Sequence, residues 1–375
     1  MKNYFKKFCL MFVMVFTVIS VGLIQNGTMA SAATTYDAKT LDTGIYWFGK
    51  GNVSQKFVSG ESNKYFDSSK PTVIYIHGWQ KDKTEKLYRE IFNPSHNDSS
   101  YGADVDTVNY WVDKGWNIGI FYWNQLSDES EVKDAEAKIW TTSGSKGMRW
   151  RKVDGSYNSI NVPTVSAAQL FVDDYVKAMK NFSGSEIRLA GHSLGSQMVI
   201  NGGMLISNLV DSGTISSNIL PDRICLLDPF WSKGEKSYLD NKWTGEVSRN
   251  YVTSLKTKGV VFEQYKSSNI NDLWIGDSND GMKQLTAFID VYPDYTGLIN
   301  QASKHGASRD LYFYSMGFDA PAEMVNGVDT GNDAGYAPTS TSRILEMMNS
   351  KYKWTQNAGK STNTPADDNF NKTTK

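Results

Sequence analysis

The amino-acid sequence predicts an α/β fold with a mainly parallel central sheet flanked by helices. Two observations predict it: short apolar runs read as buried strands, and segments with apolar residues at helical spacing lie between them. Strands that alternate with helices form βαβ units, in which the strands are parallel. In chain order the predicted elements are a strand at 72–77, a helix near 103–113, a strand at 116–123, a helix at 164–181, a strand at 186–190, a helix at 194–209 and a strand at 223–227.

Residues 1–32 have the three regions of a secretory signal peptide. Lysines at positions 2, 6 and 7 precede an apolar run from Phe8 to Ile24, and Ala30 to Ala32 supply small residues for cleavage. The run is long for a signal, so an uncleaved anchor is the alternative. Cys9 lies in this segment and Cys225 is the second of two cysteines, so no intramolecular disulfide is expected. We expect a secreted, extracellular protein of the disulfide-free kind that many bacteria export.

The rest of the chain is predicted to form one domain at 33–360. A length of 375 residues, 40% hydrophobic and 21% charged, is sufficient for a large core in an ordinary globular protein. Two segments, 127–162 and 229–283, interrupt the alternation and are predicted to be insertions. Residues 361–375 are mostly Asn, Thr, Lys and Asp, which predicts a disordered tail.

A candidate nucleophile lies between the predicted strand 186–190 and the helix that follows it. The segment Gly191-His192-Ser193-Leu194-Gly195 fits the pattern G-x-S-x-G. In a nucleophile elbow the turn is sharp, so side chains two residues before and after the serine would collide and glycine is needed there. This context predicts an α/β-hydrolase fold with Ser193 as the nucleophile. The alternative is a glycine-lined turn without catalytic meaning.

An acyl-transfer enzyme of this kind needs two backbone donors for its oxyanion. One is expected to be the N–H of Leu194, which follows the nucleophile. The other is expected from Trp79, in the loop after strand 72–77, where Gly78 lets the chain turn. His77 is then a supporting residue that holds the loop, and the alternative is a strand end with an incidental histidine.

The general base can be found by elimination among four histidines. His77 belongs to the oxyanion loop, His192 is fixed beside the nucleophile, and His96 precedes the serine, whereas this fold orders the residues as serine, acid, histidine. His305 remains as the base. Its carboxylate partner is expected to be one of two residues that each end an apolar run, Asp228 and Asp290, and strand-end geometry favours Asp228 with Asp290 as the alternative.

Five segments in this order resemble the animal lipase family typified by pancreatic lipase, which includes phospholipases A1. They are Tyr75-Ile-His-Gly-Trp79, Gly191-His-Ser-Leu-Gly195, Leu226-Leu-Asp-Pro229, Asp290-Val-Tyr-Pro293 and His305-Gly-Ala-Ser-Arg-Asp-Leu-Tyr-Phe313. The resemblance spans roughly residues 70–317. It implies a triad of Ser193, Asp228 and His305, because the D-x-Y-P segment of the family does not supply the triad acid.

Departures from the family pattern bear on the substrate. The paired cysteines are absent, only 11 residues separate Pro293 from His305, and only 70 residues follow His305, too few for a C-terminal β-sandwich. In this family a short lid implies phospholipase or esterase behaviour more than triacylglycerol lipolysis. Segment 229–283 is an alternative cover for the site. The sequence therefore predicts hydrolysis of lipid esters; a carboxylesterase for short soluble esters and a non-catalytic lipid-binding homologue are the alternatives.

Partners and cofactors follow from weaker signals. A formal charge of −1 gives no reason to expect nucleic-acid binding, and no obligate protein partner is evident. The Asp154-Gly155 hairpin carries basic and aromatic residues that could contact anionic lipid head groups, or it is an ordinary solvated hairpin. No zinc set, P-loop or dinucleotide motif is present. The oxygen-rich segment 329–335 suggests calcium only weakly, and a polar turn is the alternative.

Overall fold

The computed structural model describes residues 36–270 and 276–375, so the predicted signal peptide at 1–32 lies outside the described residues. In chain order the strands are β1 Gly44–Phe48, β2 Ser54–Lys56, β3 Thr72–Ile76, β4 Asn117–Tyr122, β5 Trp150–Arg151, β6 Tyr157–Asn158, β7 Ile187–His192, β8 Arg223–Leu227, β9 Glu235–Lys236, β10 Lys242–Trp243, β11 Val261–Lys266, β12 Ala287–Asp290, β13 Ala322–Val325, β14 Val328–Asp333, β15 Tyr352–Ala358 and β16 Asn369–Thr374. The helices are Pro94–Asn97, Val108–Asp113, Asn124–Ser127, Val132–Trp140, Ala167–Ala178, Leu194–Asp211, Thr244–Thr257, Asp280–Lys283, Gln301–Ser315 and Thr341–Met348. In residues 36–270 and 276–375, no helix has both the length and the apolar character needed to cross a membrane.

The central sheet has 12 strands in the order β14-β13-β16-β15-β12-β11-β8-β7-β3-β4-β1-β2. From β4 to β15 every neighbouring pair is parallel, while β1 and β2 add antiparallel strands at one edge. Every residue of β3, β4, β7 and β8 is buried, as expected for parallel strands that are covered on both faces. The predicted α/β fold class is confirmed. The carboxyl ends of these strands meet at one edge, where ligands bind in such sheets.

Segment 229–283 is not the insertion that the sequence predicted. Its middle part forms the helix Thr244–Thr257 and the strand β11, which pairs in parallel with β8 and β12. The strand is hard to recognise in sequence because it carries Glu263 and Gln264, both buried. Glu263 is paired with the buried guanidinium of Arg223 on β8 at 2.6 Å. A buried ion pair thus replaces the apolar pattern expected of a central strand.

The prediction of a disordered tail at 361–375 is also wrong. Strand β16 pairs antiparallel with β15 and parallel with β13, so the end of the chain lies inside the sheet. Phe370 is fully buried, and its ring packs edge-on against Tyr336 with centroids 5.4 Å apart. Asp368 accepts hydrogen bonds from the Tyr336 hydroxyl at 2.7 Å and from Gln356 at 2.9 Å. Pairing and one buried aromatic ring order a segment whose composition is polar.

Segment 127–162 contains the predicted hairpin. Strands β5 and β6 pair antiparallel, and Gly155 has a φ of 80°, which favours glycine at this turn. The basic residues of the hairpin are engaged within the fold. Arg149 lies 2.5 Å from the buried carboxylate of Glu129, and Arg151 is paired with Glu85. Both guanidinium groups also lie over the ring of Tyr157, so this hairpin offers less free positive charge than its sequence indicates.

Candidate active site

His305 and Asp228 are in direct contact at the carboxyl edge of the sheet. Nδ1 of His305 donates to Oδ2 of Asp228 at 2.6 Å, and the Asp228 side chain is fully buried. The histidine lies in the helix Gln301–Ser315, whereas the aspartate directly follows β8. Because Nδ1 is occupied by the carboxylate, the free ring nitrogen of His305 is Nε2, the atom that a general base would use.

Asp228 is held by donors from the two residues that directly follow the neighbouring strand β11. Its Oδ1 accepts from the backbone N–H of Ser267 at 3.0 Å and of Ser268 at 3.3 Å. Its Oδ2 also accepts from the Ser268 hydroxyl. No sequence pattern indicates a role for these serines, because they follow a strand in the segment predicted to be an insertion. Asp290, the rival acid, pairs instead with Lys353 at 3.0 Å.

Ser193 occupies the turn between β7 and the helix Leu194–Asp211. Its backbone has φ 56° and ψ −123°, a region that non-glycine residues rarely adopt. The N–H of Ser193 donates to the carbonyl of Leu227 at 3.0 Å, and Leu227 is the residue before Asp228. The turn therefore places the serine next to the end of β8 and directs the N-terminus of the helix toward it.

Three glycines allow this turn to pack closely against β3. A Cβ at Gly191 would lie 2.3 Å from the Gly195 carbonyl oxygen, and one at Gly195 would lie 2.1 Å from the Ile76 carbonyl oxygen. A Cβ at Gly78 would lie 2.6 Å from the Cβ of Ser193. The loop after β3 thus meets the serine directly, as the sequence predicted for the oxyanion loop.

His77 fixes that loop to the end of β4. Its Nδ1 donates to the carbonyl of Gly78 at 2.9 Å, and its Nε2 accepts from the backbone N–H of Trp123 at 3.2 Å. Burial lowers the pKa of His77 to about 4, so the ring is neutral, which agrees with one donating and one accepting nitrogen. Trp79 is anchored through its indole N–H to the Glu129 carbonyl at 2.7 Å. Leu194 begins its helix, where backbone N–H groups have no intrahelical acceptor.

His192 connects the elbow to the helix that carries His305. Its Nε2 donates to the backbone carbonyl of His305 at 2.9 Å, and the two ring centroids are 4.4 Å apart. Burial, together with the charges of His305 and Arg309, holds the pKa of His192 well below its usual range. His96 lies elsewhere, bonded to the Arg89 carbonyl at 2.9 Å. The structure therefore joins two of the predicted residues, Asp228 and His192, to His305 by hydrogen bonds, and leaves His96 out.

Sequence reasoning missed a charged cluster one helical turn beyond His305. Arg309 lies 3.1 Å from Oε2 of Glu90 and 2.8 Å from Oδ1 of Asp310. Glu90 also accepts from the hydroxyl of Tyr75 and the amide of Gln80, both at 2.6 Å. Burial alone would raise the pKa of Glu90, but the Arg309 charge, the nearby His77 and His192 and the Tyr75 hydroxyl lower it to about 2. The sequence feature that indicates this cluster is the spacing of four residues between His305 and Arg309, because residues four apart lie on the same face of a helix.

Within residues 36–270 and 276–375, no group of three or more His, Cys, Asp or Glu side chains is arranged to hold a metal ion. The oxygen-rich segment 329–335 mostly forms the exposed strand β14, and the Asp329 carboxylate accepts from the Gly331 N–H at 2.7 Å.

Comparisons with known proteins found similarity only among solved structures. No family model and no curated protein matches the chain. It is similar to esterase B from Lactobacillus rhamnosis, with 11% identity and a TM-score of 0.24 over 53% of this chain and 56% of that one. It is similar to a poly(3-hydroxybutyrate) depolymerase from Bordetella parapertussis, with 10% identity and a TM-score of 0.28 over 58% of this chain and 63% of that one. A lipase-esterase related protein from Clostridium acetobutylicum gives 10% identity and a TM-score of 0.24, over 60% and 78% of the two chains.

The structure of the chain itself shows its fold. A mainly parallel sheet, a strained serine turn after β7, and a carboxylate after β8 that meets a later histidine are together the arrangement of an α/β-hydrolase fold.

Proposed function

We propose that this chain is a serine ester hydrolase that acts on carboxylic esters of lipids through an acyl-enzyme. The observation that carries the proposal is the 2.6 Å contact between His305 and buried Asp228, beside the strained turn at Ser193. A histidine oriented by a carboxylate and a serine in an elbow are the parts that nucleophilic acyl transfer needs.

In the proposed mechanism, Oγ of Ser193 attacks the ester carbonyl while Nε2 of His305 takes its proton. The backbone N–H groups of Trp79 and Leu194 stabilise the tetrahedral oxyanion. His305 returns the proton to the leaving alcohol, and Asp228 stabilises the imidazolium during the transfer. Water then attacks the acyl-enzyme with His305 as base. The supporting residues of the turn and loop are His77, Gly78, Gly191, His192 and Gly195.

The lipid substrate is supported by the resemblance to animal lipases and by the loop before His305. Leu298 and Ile299 are 86% and 88% exposed, and they lie just before the helix that carries His305, which begins at Gln301. Two adjacent aliphatic side chains in water beside a reactive site favour contact with an apolar surface. We propose a phospholipase A1 or triacylglycerol lipase type of activity, at a lipid interface, by an exported enzyme that needs no cofactor.

A carboxylesterase for short soluble esters is the second candidate. The cleft that adjoins His305 combines aromatic rings with polar and charged side chains, among them Lys83, Asp98 and Arg309, and none of its described lining residues is Leu, Ile, Val, Met or Phe, which favours a polar substrate over a long acyl chain there. A non-catalytic lipid-binding homologue is the third reading and predicts no covalent chemistry at Ser193.

The test is labelling by a fluorophosphonate probe, followed by parallel assays. The purified protein should incorporate one equivalent of probe, Ser193→Ala should incorporate none, and the exposed-serine control Ser212→Ala should behave as the parent protein. Absence of labelling in the parent protein would reject the hydrolase and leave the binding homologue. Phospholipid, triacylglycerol and short p-nitrophenyl esters are then compared. Activity that rises above the solubility limit of the ester supports the lipid enzyme, and simple saturation supports the carboxylesterase.

A further inference from the structure

A cleft of about 160 Å³ adjoins the candidate active site on the side of the histidine. His305, His192 and Trp79 are among the residues that line it, so it adjoins both the proposed base and the proposed oxyanion loop. Residues within 94–103 and 295–303 also line it. No described residue of 229–283 lines it, so in the described part of the chain that segment does not cover it.

The lining of this cleft is aromatic and polar rather than aliphatic. Among the described residues that line it there is no Leu, Ile, Val, Met or Phe. The aromatic members are Trp79, Tyr88, Tyr101, Tyr295 and Tyr314. Acyl-chain pockets are lined mainly by aliphatic and aromatic side chains with few polar groups. The cleft therefore does not suit an acyl chain.

Several polar groups of the cleft have hydrogen-bonding capacity left. The ammonium group of Lys83 forms no ion pair within the described residues and lies over the ring of Tyr88, 4.6 Å from its centroid. Asp98 accepts one bond per oxygen, from Ser303 at 2.6 Å and from the Ser100 N–H at 3.1 Å, which leaves lone pairs on both oxygens. Of the four tyrosines that line the cleft, Tyr88 donates its hydroxyl proton to Asn97, whereas the hydroxyls of Tyr101, Tyr295 and Tyr314 have no hydrogen-bond partner among residues 36–270 and 276–375.

The charges of the cleft nearly balance and do not favour an anionic ligand. Lys83 and Arg309 contribute two positive charges, and Glu90, Asp98 and Asp310 contribute three negative ones, so the sum is −1. Arg309 is already shared between Glu90 and Asp310. An anion would add to the net negative charge, while a cation would lie against Lys83. A neutral ligand with many hydroxyl groups can donate hydrogen bonds to the carboxylates and accept them from Lys83 at the same time.

The position of the cleft indicates which half of the ester it receives. In acyl transfer the histidine returns a proton to the oxygen of the leaving alcohol, so that alcohol lies on the histidine side of the serine. Nδ1 of His305 is bound to Asp228, and only Nε2 can serve this role. A cleft that His305 itself lines is therefore placed for the leaving alcohol.

We propose that this cleft binds the leaving alcohol of the substrate, and that this alcohol is a neutral, hydroxyl-rich group such as a sugar or a glycosylated glycerol. The C–H faces of such a group pack against the tyrosine and tryptophan rings, while its hydroxyls bond to Lys83, Asp98 and the free phenols. The inference rests on the proposed esterase function and names its substrate class. The alcohol can belong to a glycolipid or to a soluble acylated carbohydrate, since the chemistry recognised is the same.

The first test compares esters that differ only in the hydroxyl groups of the alcohol. A butyrate ester of glucose and hexyl butyrate share the acyl group and the number of alcohol carbons. We expect kcat/KM to be at least about tenfold higher for the glucose ester, because a site built to bond hydroxyls discriminates strongly against an analogue without them. Equal values, or a preference for hexyl butyrate, would overturn the inference. A second comparison uses mixed micelles of galactosyl diacylglycerol or of diacylglycerol. A higher kcat/KM for the galactosyl lipid assigns the alcohol to a glycolipid, whereas a preference seen only with the glucose ester assigns it to a soluble carbohydrate ester.

The second test uses variants of the cleft. Lys83→Met and Tyr295→Phe should each lower the ratio of kcat/KM for the glucose ester to that for hexyl butyrate by about three- to tenfold, as expected for one hydrogen bond. Lys86→Met, an exposed lysine outside the cleft, should keep the parent ratio. A ratio that is the same in all three variants contradicts the inference. Binding of methyl glucoside to the parent protein, followed by ligand-observed NMR and weakened in Lys83→Met, is a readout independent of hydrolysis. It separates failure of the cleft proposal from failure of the esterase proposal, which would appear as absent fluorophosphonate labelling.

Discussion

Replacing Asp228 by asparagine tests the candidate site most directly, because the geometry determines how the new amide must orient. The two carboxylate oxygens accept four hydrogen bonds: Oδ1 accepts two backbone N–H groups, and Oδ2 accepts the Ser268 hydroxyl and Nδ1 of His305. An amide NH₂ in place of Oδ1 would leave two buried backbone donors without an acceptor, at a cost of about 1–3 kcal/mol each. We therefore expect the NH₂ group to take the Oδ2 position.

That orientation gives His305 the wrong tautomer. Nδ1 then faces a donor and must accept, so the ring proton moves to Nε2, which can no longer take the proton of Ser193. Loss of the correct tautomer in serine hydrolases lowers kcat by about 10⁴-fold, with the geometry otherwise intact. At about 1.4 kcal/mol per factor of ten, Asp228→Asn should lose roughly 5 kcal/mol of transition-state stabilisation.

The assay is kcat/KM for p-nitrophenyl butyrate across pH 6 to about 9, with circular dichroism to show that the variant is folded. Asp290→Asn is the matched control, because Asp290 also ends a strand but pairs with Lys353. It should retain activity within about threefold of the parent protein. A large loss in Asp290→Asn with little loss in Asp228→Asn would refute the assignment of the acid.

Four further predictions test the loop, the titrating groups and the end of the chain. Gly78→Ala should lower kcat/KM by at least about 100-fold, since its Cβ would lie 2.6 Å from that of Ser193; slower fluorophosphonate labelling measures this. Burial lowers the pKa of His77 from 6.5 to about 4, so between these pH values the unfolded chain binds a proton that the folded chain does not, and stability is lost as pH falls. In urea unfolding, the parent protein should therefore lose about 3 kcal/mol of unfolding free energy through this group between neutral pH and pH of about 4, and His77→Gln should not show that loss. Burial raises the pKa of Asp368 from 3.8 to about 6, so the folded chain holds this proton more tightly than the unfolded chain, and the group favours folding as pH falls. Because the ionised carboxylate destabilises the fold at alkaline pH, Asp368→Asn should raise the unfolding free energy there by up to about 3 kcal/mol and make Tm less dependent on pH. Phe370→Ala should cost about 3–5 kcal/mol of unfolding free energy, whereas an unchanged value would mean that the chain end is not part of the core.

Most of the central fold could be predicted from the sequence because its signals are local. The strands β3, β4, β7 and β8 are apolar and end at residues such as Gly78 and Pro229 that stop a strand. The serine turn is equally local, since its glycines lie two residues on either side of Ser193. In such elements the residues that determine the conformation are neighbours in the chain, so a pattern is enough.

The elements that escaped prediction depend on partners far away in sequence. Glu263 in β11 is tolerable only because Arg223 lies opposite, 40 residues earlier in the chain. Strand β16 depends on β15 and β13 for its hydrogen bonds and on Tyr336 for the packing of its one buried ring. Strand ends alone could not decide between Asp228 and Asp290 for the same reason, because both residues end strands and the contact with His305 forms only in the folded chain.

The two strained residues of the site are held by the sheet itself. Ser193 has φ 56° and Asp228 has φ 41°, and positive values of this kind cost on the order of 1–3 kcal/mol each where the side chain is not glycine. The cost is lower for aspartate, which tolerates this region better than most residues. Each residue nevertheless continues the hydrogen bonding of its neighbours: the Ser193 N–H bonds to the Leu227 carbonyl at 3.0 Å, and the Asp228 N–H bonds to the Tyr265 carbonyl at 2.9 Å. Because the restraints come from β8 and β11, the serine turn and the acid are positioned before any substrate binds. The strain is thus a property of the fold and not a consequence of substrate binding.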